Sequence, residues 1–270
     1  MNEIQEYIRL EAQAVSQNSY LDLVRTAPNR RRTLIAVIVG VGAQWNGIGV
    51  VSYYLTLVLN TIGITTVAQQ ALINGLLQLF NFAAAIFGGA LMVDRLGRRT
   101  LFLIGTGGLL LSYICWTALT AQFVMTKNPG LGNGVVAFIF IAYFFYDISW
   151  TPFLYSYPME IFPYNLRSRG MVVTLSSTFI GLISGQLINP IALKAIGWKY
   201  YIVFCCIISI LFTLIYFLFP ETKGCTLEEI GDIFDGKTVV IENDLQKKGA
   251  DEESQTVQTE KVEPPKVNAV

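Results

Sequence analysis

One carboxylate stands alone in the apolar part of this sequence. Asp147 sits within Tyr143-Phe-Phe-Tyr-Asp-Ile-Ser-Trp-Thr-Pro152 and is the only charged residue between Lys127 and Glu160. An isolated charge at mid-bilayer costs several kcal/mol, so such a residue is a candidate functional group. The other reading is a structural carboxylate bonded to Tyr146, Trp150 or backbone freed near Pro152. Primary amides accompany it: Gln44 and Asn46 in one apolar stretch, Asn74, Gln78 and Asn81 in the next. The i, i+4, i+7 spacing of the last three places them on one helix face. An amide turned to lipid leaves its hydrogen-bonding capacity unmet, so that face should look into the bundle and Gln44 into protein or a water-filled cavity.

The same inventory excludes most chemistry. Without a single histidine, His general bases, Ser-His-Asp triads and His-held zinc fall together. One carboxylate without a second acid or a metal set makes no active site, so an enzyme is not expected. Cys115, Cys205 and Cys206 lie in apolar runs and Cys225 in a polar stretch, without metal or disulfide spacing. The 19 Lys+Arg balance 19 Asp+Glu, and no basic stripe with interleaved aromatics suggests nucleic acid. No cofactor and no metal is called for. Aromatic rings beside amides and one carboxylate suit a neutral polyhydroxylated ligand, whose C–H face stacks on rings while its hydroxyls bond amides.

The elements that must position these residues are membrane helices. Hydrophobic residues make up 53% of the chain, and a mean hydropathy of +0.50 is far above that of a soluble domain. From Thr33 to Val93 there is no charge, a run about three times the ~20 residues that one crossing needs and so long enough for two crossings and their connection. Polar residues from Asn60 to Gln70 divide this run. The pattern predicts six crossings near 34–59, 69–92, 100–121, 134–157, 171–190 and 199–219. Pro152 and Pro158 are expected to break the fourth, where freed backbone can line a site. Arg25 with Arg30 to Arg32, then Arg95, Arg98 and Arg99, then Arg167 and Arg169 all fall on one side, which makes that side, and both termini, cytosolic. Lys127, Lys194 and Lys199 lie on the other. No signal peptide is expected at the head of this sequence, because residues 1–32 are polar, with helix-compatible stretches such as Glu3 to Val15. The sequence after Gly236 reads as disordered.

Four motifs in order carry a family resemblance: Gln44-Trp-Asn-Gly-Ile-Gly-Val-Val-Ser-Tyr53-Tyr54, Asp94-Arg-Leu-Gly-Arg-Arg99, Pro158-Met-Glu-Ile-Phe-Pro163 with Arg167 and Arg169-Gly170, and Pro220-Glu-Thr-Lys-Gly224. Over about residues 20–236 the chain resembles the C-terminal half of a sugar porter of the major facilitator superfamily, nearest to the fungal lactose-permease-like and hexose transporter branch. The resemblance implies an all-α membrane protein with six transmembrane helices, half of a 3+3 inverted-repeat bundle. It divides the chain into a cytosolic helical linker (1–32), the bundle (33–219), a cytosolic Pro-Glu-Thr-Lys-Gly segment (220–236) and a cytosolic tail (237–270). It makes Gln44 and Asp147 sugar contacts, puts Tyr155 in the place of a tenth-helix Trp and Pro152 at that helix's break. Asn46, Tyr53, Asn81, Trp150 and Thr178 complete the candidate contacts. Asp94, Arg95, Arg98, Arg99, Glu160, Arg167 and Glu221 form a charge network, with Glu160 paired to Arg167, that latches the inner mouth. Ala43, Gly49 and Phe82 depart from the family's usual Gln and Asn residues.

The function so implied is sugar transport by alternating access, the substrate being a mono- or disaccharide, with a proton as co-substrate in coupled members. Family members have two six-helix halves, so the partners expected are the lipid bilayer and either an N-terminal half or a second copy. The opening residues look like the end of the linker between halves, which suggests a truncated reading frame with Met1 internal. A non-transporting sugar sensor and an inactive remnant are the alternatives. The location expected is the plasma membrane.

Overall fold

The computed structural model describes residues 19–87 and 92–235, and among them regular structure is entirely helical. The expectations for Glu3 to Val15 and for the tail after Gly236 lie outside the described residues. In chain order the helices are α1 (Asp22–Arg25), α2 (Ala27–Trp45), α3 (Ile48–Thr61), α4 (Val67–Phe87), α5 (Val93–Leu96), α6 (Arg98–Thr126), α7 (Pro129–Ile161), α8 (Tyr164–Ile196), α9 (Tyr200–Leu218) and α10 (Leu227–Asp235). A 3₁₀ turn, Gly197–Lys199, joins α8 to α9.

Among the described residues four segments are long and apolar enough to cross a membrane: Ala27–Thr61, Arg98–Thr126, Pro129–Ile161 and Tyr164–Leu218. The last contains two helices of 33 and 19 residues. Helix is the natural solution for such segments, because hydrocarbon offers no partner to an open N–H or C=O. Polar residues set the starts. Thr26 Oγ1 accepts from Asn29 N at the head of α2 (3.4 Å), and Asn128 Oδ1 accepts from Gly130 N at the head of α7 (2.9 Å), each with a proline in the first turn. Most helices overshoot the expected spans, since polar termini continue the helix beyond the apolar stretch.

Two expectations change. The first predicted crossing is two helices, α2 and α3, and α7 runs unbroken through Pro152 and Pro158. A proline deletes one donor, but its fixed φ is itself helical, so packing on both sides carries α7 through. The break at residues 46–47 has a different cause. Gly47 takes φ 93°, which continues no right-handed helix, and a Cβ there would run into the Tyr113 ring.

The helices pack by small residues and aromatic rings. Gly105 and Gly108 let α6 lie directly on Ser149 and Phe145 of α7. Two apolar clusters fill the bundle. In one, Tyr113, Trp116, Tyr201 and Phe204 pack with Val58 and Ile139. In the other, the Phe102 ring meets Trp150, Phe153, Tyr157 and Phe219 at centroid distances of 5.3, 4.9, 5.5 and 5.3 Å.

Gly47→Ala is expected to lower the melting temperature of the detergent-solubilised protein, by a loss of about 1–3 kcal/mol from the left-handed φ and the Tyr113 contact. Gly75→Ala, where a Cβ meets nothing within 4 Å, should leave it unchanged. Equal melting of both variants would show that the break carries no such constraint.

Candidate functional site

The break between α2 and α3 opens a polar recess against α8. Asn46 (φ −79°, ψ 6°) follows the last turn of α2, and its Oδ1 accepts from Ile48 N at 3.2 Å, so it caps α3. It is fully buried behind the recess, and its Nδ2 has no protein partner. Gln44, two residues earlier, lies over the bare Gly181 of α8 and lines the recess with Gly49, Tyr53, Gly185, Gln186 and Asn189. Trp45 pins the two helices together: its indole N–H is shared between the Gly181 carbonyl at 3.1 Å and Ser184 Oγ at 3.0 Å.

Asp147 forms a second polar group, between α4 and α7. It is 6% exposed, and its Oδ1 accepts from Thr151 Oγ1 at 3.0 Å, one turn along the same helix. With its NH2 turned to the carboxylate, Asn81 donates to Oδ2 at 3.2 Å and to the Leu77 carbonyl at 3.1 Å. Both oxygens of the buried acid are therefore met by neutral donors. Neither Tyr146 nor Trp150 is its partner. The Tyr146 hydroxyl points to the Ala43 carbonyl at 3.4 Å, and the Trp150 indole donates to Thr106 Oγ1 at 3.1 Å. Nearby, Ser52 of α3 and Tyr143 of α7 share a hydrogen bond of 2.7 Å.

The remaining candidates separate by burial. Tyr53 and Tyr155 are each 53% exposed, open to an approaching ligand. Trp150 is 0% exposed in the Phe102 cluster, and Thr178 bonds back to the Thr174 carbonyl at 2.8 Å where α8 crosses Gly40. Those two belong to packing. Asn74 and Gln78 form their own 3.5 Å contact on the exposed face of α4.

The charged residues gather at one end of the bundle. Glu221 accepts the backbone N–H groups of Arg98 (2.8 Å), Arg99 (3.1 Å) and Thr100 (3.4 Å), and of Thr222 and Lys223 (3.0 Å each). It thus caps α6 from a distant segment, with its charge on the positive end of the helix dipole. The approach needs a glycine: Gly97 has φ 88°, and a Cβ there would lie 2.7 Å from Glu221 Oε2. Glu160, at the end of α7, accepts from Arg98 Nε at 3.1 Å and from Thr222 Oγ1 at 2.6 Å. The expected Glu160–Arg167 pair is not formed. Arg98 leaves the first turn of α6 beside Glu160, whereas Arg167 lies over the Tyr164 ring at 5.8 Å. Arg99 donates to the Tyr216 carbonyl at 2.7 Å, and Lys223 to that of Arg95 at 2.7 Å. The Asp94 side chain lies outside the described residues.

The sequence signature described as "Sugar (and other) transporter" matches residues 1–234. The chain belongs to this family. Similar proteins include the MFS-type transporter oryC of Aspergillus oryzae, 29% identical over 89% of this chain and 45% of that protein. The low-affinity glucose transporter of Kluyveromyces lactis is 28% identical over 86% of this chain and 41% of its own length. Sugar transport protein 1 of Arabidopsis thaliana is 31% identical over 76% and 40%. The chain therefore spans less than half the length of these relatives. In structure it is similar to the major facilitator superfamily proton:xylose symporter XylE bound to 6-bromo-6-deoxy-D-glucose, with a TM-score of 0.62, 22% identity, and coverage of 75% of this chain and 42% of that one. A D-xylose-proton symporter gives a TM-score of 0.64, 20% identity, and coverage of 84% and 49%. The fold of this family member is that of the major facilitator superfamily.

Two polar residues of the recess, Gln186 and Asn189, are not among the candidates named from the sequence, and Tyr54, which bonds Gln186, is visible there only as a motif residue. The signal was present. Gln186 and Asn189 are amides three apart in an apolar span, the same argument that singles out α4. Glu221 is visible as a motif residue, but its five backbone partners are not. Glu221→Ala should destabilise the protein by about 1–3 kcal/mol, because five backbone N–H groups, partly buried or exposed, lose their acceptor together, and Glu221→Gln by less. Unchanged resistance to heat and to proteolysis near residue 220 in Glu221→Ala would overturn the capping role.

Proposed function

We propose that this chain is the C-terminal half of a sugar transporter, working by alternating access together with an N-terminal half or a second copy. The observation that carries the reading is a polar recess at a broken helix, beside a buried Asn81–Asp147 pair, inside an apolar bundle of the sugar transporter family. Six crossings follow if α2 and α3 count as one and α4, α6, α7, α8 and α9 as one each, within residues 33–219. Residues 1–32 are then the linker, 220–236 a cytosolic segment and 237–270 the tail. The basic clusters at Arg25 to Arg32, Arg95 to Arg99 and Arg167 to Arg169 support a reading in which that end, and both termini with it, is cytosolic. The membrane is the plasma membrane.

The ligand is a neutral mono- or disaccharide. Gln44 and Tyr53 meet it from the recess, Asn81 and Asp147 from the second polar group, and Tyr155 offers a ring at the open side. Relatives of this chain are named for glucose, and a solved structure of similar fold is named a proton:xylose symporter. Coupling to a proton is therefore one mode open to the assembled protein. At the cytosolic end Arg98, Glu160 and Glu221 tie α6, α7 and the segment after α9. Opening that end must part these contacts, which suits a latch on the outward-open state.

The test is uptake of labelled D-glucose in yeast lacking hexose carriers. The full chain would be expressed alone and with the N-terminal half of the Kluyveromyces lactis low-affinity transporter. Uptake in either arm is expected. Asp147→Asn should lower it about tenfold, the worth of one strong hydrogen bond to a charged group, with the amount of membrane-inserted protein unchanged. No uptake of glucose or xylose in either arm, despite correct insertion, would remove the transport reading.

A further inference from the structure

Pro190 interrupts the hydrogen bonding of α8 near the end remote from the charged cluster. Lacking an N–H, it leaves the carbonyl of Gln186, four residues earlier, without a helical donor. Within an apolar bundle that carbonyl needs another partner. Tyr54 supplies it. Its hydroxyl lies 3.0 Å from the Gln186 carbonyl and 2.7 Å from Gln186 Oε1. The reach depends on a kink in α3, where Tyr54 itself leaves helical geometry (φ −127°, ψ 28°).

Three residues on, the arrangement repeats. The Tyr200 hydroxyl donates to Asn189 Oδ1 at 2.7 Å. Asn189 is 6% exposed, and its Nδ2 stands at Gly185, 3.4 Å from where a Cβ would lie. Both tyrosines hold the amide oxygen, so the NH2 ends are what the amides present to the recess. If the two amides served only to tie α8 to α3 and α9, their oxygens would be explained but not the NH2 donors that line the recess.

We infer that Gln186, anchored by Tyr54, is a substrate-contacting residue of α8. With Gln44 across the recess it grips one edge of a polyhydroxylated ligand, donating to the lone pairs of a hydroxyl or ring oxygen. Asn189 supplies a second donor on the same wall. This rests on the sugar-transport reading and adds to it a wall that selects for an acceptor oxygen at one position of the sugar.

The experiment is competition of D-glucose uptake by monodeoxy-glucose analogues, using the full chain paired as above. The variants are Gln186→Met, which keeps the side-chain length, and Tyr54→Phe, which releases the anchor. Gln186→Met should weaken the apparent affinity for glucose about tenfold, a typical loss for one hydrogen bond of this kind. For one deoxy analogue, already a poorer competitor of the unsubstituted protein, the substitution should cost nothing further. Tyr54→Phe should give a smaller loss with the same analogue pattern. An equal loss across all analogues, or no loss, would overturn the inference while uptake by the unsubstituted pair keeps the transport reading. Absence of uptake by that pair would overturn both.

Discussion

A backbone carbonyl or N–H inside hydrocarbon must find its partner within the protein, and the arrangement of polar side chains in this chain follows from that demand. The helices break their own hydrogen bonding at residues 46–47 and at Pro190. Polar side chains converge on each place: Asn46 caps α3, Trp45 bridges to Gly181, and Tyr54 meets the carbonyl that Pro190 releases. A recess lined by amides therefore lies where the backbone is least self-sufficient. The charged end obeys the same rule. The first turn of α6 has orphan N–H groups like any helix, and Glu221 collects three of them together with two from its own segment.

Asp147 shows how magnitudes decide between roles. A bare carboxylate in an apolar bundle costs several kcal/mol, and removing a partner from a buried charge exposes that cost. Two neutral donors, Asn81 and Thr151, offset it. The carboxylate is thus already held before a ligand arrives, and it ties α4 to α7. A group of this kind can be structural and still lie on a ligand's path, because an Asn81 hydrogen bond can be exchanged for one from a hydroxyl at little net change.

Much of this was legible in the sequence, for reasons that can be named. Apolar length and basic clusters located most of the helices, and the isolated acid and the amides of α4 pointed to the Asn81–Asp147 pair. What escaped depends on rotation and on partners far along the chain. Trp150 and Thr178 turn into the core because Thr106 and the helix crossing at Gly40 are there to receive them, which spacing alone does not reveal. The break at Gly47 rather than at Pro152 turns on a positive φ that glycine permits but does not announce. Arg98 rather than Arg167 meets Glu160 because α6 begins beside the end of α7, a fact of tertiary structure. Helix α4 carries amides that dilute its apolar signal, and it is not among the four membrane-length segments of the described residues.

The contacts of α8 with the first crossing are of two kinds, and the difference bears on which part can move. Near the charged end α2 meets α8 at Gly40, against the backbone of Thr174 and Thr178. Such close packing is lost outright if the helices separate. Toward the other end α3 meets α8 through the Tyr54 hydroxyl and the Gln186 amide. Hydrogen bonds can be traded for others of similar strength, with a ligand or with water, at small net cost. The two kinds of contact meet at the turn of Asn46 and Gly47, where the backbone has left the helix. The exchangeable contacts of α3 are thus those with α8, whereas its other face is held in the apolar core by Val50, Val58 and Leu59, and the recess lies beside the exchangeable ones.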